Sequence, residues 1–167
     1  MATSGLDVLF EASINALTLA LDKSVQVAMK EYEKLQQTGL KGELTDIYIS
    51  FLRSSVLNKL PWLRIDLYDA AGRTDPTECC ADFDTPFISD RIYIEAEKLK
   101  KERHWRSGHQ ERQAWLNASD KCAKMFERHL PQVINESETA KMANCRWLFG
   151  QFLGNAVVVR ERGNSVE

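Results

Sequence analysis

The chain has 167 residues, 44% of them hydrophobic and 28% charged, with a formal net charge of −2. A chain of this size buries roughly 70% of the surface its unfolded form exposes, enough for a core without metals or disulfides. The composition excludes a disordered body, and the charge excludes a global pull toward nucleic acid or acidic membranes. One domain over residues 1–167 is expected, with a short polar tail at about 160–167. Asp7 and Glu11 stand where an export signal needs a basic start and an apolar run, and no apolar stretch is long enough to span a bilayer. Cys79, Cys80, Cys122 and Cys145 are therefore expected as free thiols in a cytoplasmic, reducing setting.

From residue 6 to 37, apolar side chains recur in steps of three and four (among them Phe10, Ile14, Leu17, Leu21, Val25, Ala28, Tyr32 and Leu35). That is the period of a helix with one buried face. Ser4 suits an N-cap and Gly39 a stop, and the length predicts one long helix or two with a break near Asp22. Ile47, Phe51, Leu52, Val56 and Leu60 predict a second helix over 44–60, ended by Pro61. The period then changes to two: Leu63, Ile65 and Leu67 alternate with Arg64, Asp66 and Tyr68, as in a strand. Residues 70–77 are rich in turn formers, and 78–84 reads as the returning strand of a β-hairpin.

Thr85 and Pro86 begin a third helix that turns Phe87, Ile88, Ile92, Tyr93, Ala96 and Leu99 inward. A fourth is expected over 110–129, with Trp115, Cys122, Met125, Phe126 and Leu130 in the core and Pro131 as its stop. A fifth begins near Ser137 and carries Met142, Ala143, Trp147, Leu148, Phe152 and Leu153, followed by a short β-prone run at Val157, Val158 and Val159. The fold class expected is mainly α: about five helices around a single core with one small antiparallel β-hairpin, α+β only at the margin.

The most informative feature is uneven charge. Residues 66–97 hold nine acidic side chains against Arg73 and Arg91, a net −7, whereas residues 98–112 hold six basic ones against Glu102 and Glu111, a net +4. The basic stretch interleaves Lys98, Lys100, Lys101, Arg103 and Arg106 with Trp105, a pattern that can neutralise phosphates and stack on a base. An exposed helix face shows the same spacings. Asp66, Asp82 and Asp84 form an acidic patch that would face a divalent cation across the hairpin, yet turn and cap chemistry explains such residues equally well. Glu95, Glu97 and Lys98 resemble a nuclease acid-x-lysine run but fall on a helical period.

Other chemistries lack a signature. Cys79 and Cys80 are adjacent and point to opposite faces of a strand, and zinc sites prefer cysteines two to four residues apart. No nucleophile elbow, GxGxxG or phosphate loop occurs among the eight glycines. Gly150 and Gly154 have small-xxx-small spacing, with Trp147, Phe149 and Phe152 around them, which suggests an apolar contact surface. The reading is a cytoplasmic, non-enzymatic protein-interaction module (adaptor, inhibitor or assembly subunit), with no cofactor and no bound metal. A protein partner or self-association is expected, through Lys100, Lys101, Arg103, Trp105, Arg106, Trp147 and Phe149. The alternatives are a nucleic-acid-associated subunit using 98–112 and a metal-dependent hydrolase using the acidic hairpin.

Overall fold

The computed structural model describes residues 5–58, 62–102 and 108–163. It opens with α1 (Gly5–Ala12) and α2 (Ile14–Gln37). The stripe with steps of three and four is the cause: Ile14, Leu17, Leu21, Val25, Ala28 and Tyr32 are all buried on one side of α2. The break between the helices falls at Ser13, not near Asp22, and the expected cap at Ser4 lies outside the described residues. Asp22 sits mid-helix, where its carboxylate accepts the Ser137 hydroxyl at 2.6 Å and the Thr139 amide at 3.0 Å. Helix α2 closes at Gly39, whose φ of +73° suits a residue without Cβ. There the Leu40 amide reaches back to the Leu35 carbonyl at 2.9 Å and caps the helix end.

The expected helix over 44–60 is replaced by a strand, β1 (Asp46–Phe51), and one short helix, α3 (Arg53–Leu57). Ile47, Ile49 and Phe51 do lie on one face, but at a spacing of two. Leu60 and Pro61 lie outside the described residues. Strands β2 (Leu63–Tyr68) and β3 (Cys80–Phe83) form the expected hairpin, joined by a loop with a 3-10 turn at Gly72–Thr74. Helix α4 (Pro86–Glu102) follows, then α5 (Gly108–Glu136). Helix α5 runs through Pro131, where a stop was expected, because Leu130, Val133 and Ile134 beside it are fully buried. The expected fifth helix is reduced to α6 (Glu138–Met142), and the segment carrying Trp147 becomes β4 (Arg146–Gln151), paired with β5 (Ala156–Arg160).

The fold is therefore α+β, with a five-stranded mixed sheet in the order β3-β2-β1-β4-β5, and not a helical bundle with one hairpin. Strand β1 is central: antiparallel to β2, parallel to β4. Its Ile47 and Ile49 join Leu63, Ile65, Leu67, Phe83, Trp147 and Phe149 in one core with the buried faces of α2 and α5. Phe126 of α5 stands at the middle, with ring centroids 5.3 Å from Phe149, 6.0 Å from Phe83 and 6.4 Å from Trp62. Aromatic side chains of this size bury large areas and dominate such cores. The Trp62 indole donates to the Ser119 hydroxyl at 2.9 Å, so its polar atom is satisfied inside.

The opposite face of the sheet mixes polar and apolar side chains. Cys80, Asp66, Tyr48, Leu148 and Val158 form one row across all five strands. The Arg73 guanidinium lies 4.2 Å from the Tyr48 ring centroid and donates to the Gly154 carbonyl at 2.9 Å, so the 3-10 loop and the β4–β5 turn close over this row.

Candidate interaction groove at the open sheet edge

The hairpin does place Asp66 and Asp82 on the same face, with Asp66 opposite Cys80 and Arg64 opposite Asp82. Asp66 is committed, however. Arg64 clamps it with Nη2 at 2.6 Å and Nε at 2.9 Å from the same oxygen, and also reaches Glu78 at 3.3 Å. Burial pushes the Asp66 carboxyl up, and the Arg64 pairing offsets part of that. Among the described residues no group of three or more His, Cys, Asp or Glu side chains is arranged to hold a metal ion.

The basic stretch is compensated locally. Lys100 pairs with Glu97 and Glu111, each at 2.9 Å, so it ties α4 to α5. Lys98 pairs with Glu95 at 3.1 Å. Glu95 is buried and also holds Arg91 at 3.1 Å and Lys121 at 3.0 Å. It is a clamp between helices, on a helical period as the sequence indicates. Lys101 is exposed at the end of α4, while Arg103, Trp105 and Arg106 lie outside the described residues. Trp147 and Phe149 require a correction. The sequence suggests surface anchors on a helix, but they sit on a strand facing the helices and are 0% and 1% exposed.

An exposed apolar patch lies on another element. Leu19 is 72% exposed and Val27 56% exposed on α2, a helix that packs against β2 and β3. With Ala20, Lys23 and Ser24 they line a groove of about 510 Å³ whose other wall is Ala81, Asp82 and Asp84. That wall is one of the two outer edges of the sheet, because among the described residues β3 pairs only with β2. The hydrogen-bond phase fixes which groups point outward. The Leu67 amide donates to the Cys79 carbonyl at 2.9 Å, so the backbone groups of Cys79, Ala81 and Phe83 turn toward β2. Those of Cys80 and Asp82 turn away from it, into the groove side. Asp82 and Asp84 have no ion-pair partner among the described residues.

A second hollow of about 590 Å³ lies between α3, α4 and α5, lined by Val56, Leu57, Tyr93 and Trp115 with Glu111 and Arg112 at its rim. Among the described residues that line it, none belongs to a strand. Sequence reasoning singled out Asp82 and Asp84 but missed Leu19 and Val27. Their signal was available: two large apolar residues off the buried stripe of α2.

Comparison with protein-family models, with curated proteins and with solved structures finds no match to the chain. Among the described residues no helix is long and apolar enough to cross a membrane.

Proposed function

We propose that the protein is a non-enzymatic interaction module of the cytoplasm that takes an extended segment of a partner protein as a sixth strand beside β3. One observation carries the reading: the outward backbone groups of Cys80 and Asp82 lie beside an exposed apolar shelf, Leu19, Ala20 and Val27. An open edge is a template for another chain, and strand addition takes affinity from main-chain bonds and specificity from alternate side chains. Residues of α2 line the same groove and supply an apolar wall beside that edge. The nucleic-acid reading has less support, because Lys98 and Lys100 are held by neighbouring glutamates. The hydrolase reading has less, because Asp66 is held by Arg64.

The test uses Asp82→Pro, which deletes an outward amide that the native sheet does not use. Partners captured from the source cell on wild-type protein are compared with those captured on the variant. A partner that is lost on Asp82→Pro, and that protects the Cys80 and Asp82 amides from hydrogen exchange when recombined with the wild type, supports strand addition. Equal capture by both proteins, or no partner for either, overturns it.

A further inference from the structure

The groove also states what it prefers. Resting on the strand-addition reading above, we infer that its occupant is an alternating apolar and basic segment of a different protein, and not a second copy of this chain. The edge is acidic. Asp82 projects on the polar face of β3, Asp84 follows at the strand end, and neither has an ion-pair partner among the described residues. Glu78, 73% exposed, stands at the other end. In an added strand, every second side chain points to the face of Asp82, and the alternate ones point to α2. Cross-strand neighbours of opposite charge stabilise and like charges directly opposite destabilise. Lysines or arginines therefore suit the first set. The second set meets Leu19, Ala20 and Val27, with Lys23 and Ser24 between them, so apolar side chains suit it and a basic one there would face Lys23.

A second copy docked edge to edge fails on the same rule. Two β3 strands related by a two-fold axis run antiparallel, each carrying Asp82 on one face with Asp84 just past the strand end. Every register that pairs Asp82 with Asp82, Asp84 or Glu78 of the other strand sets like charges directly opposite.

The experiment uses the full chain and two dye-labelled probe peptides, one alternating valine with lysine and one alternating valine with glutamate, read by fluorescence anisotropy at about 150 mM salt. The lysine peptide is expected to bind about tenfold more tightly than the glutamate peptide, the size of two or three cross-strand charge contacts. Asp82→Pro abolishes its binding. Replacing both Asp82 and Asp84 by Asn brings the two peptides to similar affinity. Should Asp82→Pro not fold, the double variant Leu19→Ser with Val27→Ser, at exposed positions, weakens both peptides together. If the glutamate peptide binds as well as the lysine peptide while the edge or shelf variants still abolish binding, the basic-occupant inference fails and strand addition stands. If neither peptide binds up to about 1 mM, or binding ignores the edge and shelf variants, both fail. Sedimentation of the wild type as a dimer that Asp82→Pro dissolves overturns the inference in favour of a second copy.

Discussion

At the scale of single residues, two positions hold more than their size suggests. Gly150 lies in β4 where the turn to β5 folds back on it: a Cβ there would stand 2.1 Å from the Asn155 carbonyl oxygen and 2.9 Å from the Ala156 Cα. Both obstacles are backbone, so Gly150→Ala is expected to lower stability by about 2–3 kcal/mol in urea unfolding; a change under about 0.5 kcal/mol would mean the turn moves freely. The small residue at 150 thus serves a close approach between strands and not one between helices. Glu95 is the other. Burial pushes its carboxyl up, but hydrogen bonds from Lys121 and Lys98 outweigh that and hold it below the usual carboxylate range. A lowered carboxylate adds stability that is complete above its unfolded value and is lost as pH falls through the folded one. The stability difference between wild type and Glu95→Gln is therefore expected to be largest near neutral pH and to shrink between about pH 5 and pH 2. Asp66 acts in the opposite direction, since its carboxyl is raised, so the variant difference is the cleaner measurement than the wild-type profile.

At the scale of elements, α5 shows local preference losing to burial. Proline inside a helix removes one backbone bond and crowds the preceding turn, at a cost of about 3 kcal/mol. Yet the helix continues to Glu136 because Leu130 before the proline and Val133 and Ile134 after it bury completely. Pro131→Ala is expected to raise stability by about 1–3 kcal/mol by restoring that bond; thermal unfolding that stays the same or falls would show that the ring packs better than an alanine there. The same contest explains β1 and β4. Ile47, Phe51, Leu52 and Val56 fit a helical stripe, and so do Trp147, Leu148, Phe152 and Leu153, since short apolar runs satisfy both periods. Their pairing with each other decided the matter, and Asp46 faces Arg146, a hundred residues away, in a parallel register.

At the scale of the whole molecule, the cysteines report on the packing. Cys79, Cys122 and Cys145 are buried and Cys80 is exposed, all four as free thiols. Burial pushes the Cys122 and Cys145 thiols up to about 12 and the Cys79 thiol to about 11, where the reactive thiolate is scarce at neutral pH. Thiol titration of the folded protein is expected to show one accessible group, lost in Cys80→Ser, and four after unfolding without reductant. Rapid reaction of two or more thiols in the folded state would contradict the core described above.

The sequence by itself determined the features with local causes. Helices α2, α4 and most of α5 follow from apolar spacing and from Gly39 and Pro86, and the β2–β3 hairpin follows from period-two alternation around a turn-rich loop. The acidity of the groove wall was equally legible, in Asp82 and Asp84. Only the tertiary structure decided that β1 and β4 are strands, that Trp147 and Phe149 face the core, and that β3 ends the sheet. A strand becomes central or edge according to what pairs with it, and a parallel pair closed over a hundred residues leaves no mark in the spacing of either segment. Whether Asp82 lies beside a neighbour or beside open groove is a property of strand order, and strand order is set by the burial of the whole core at once.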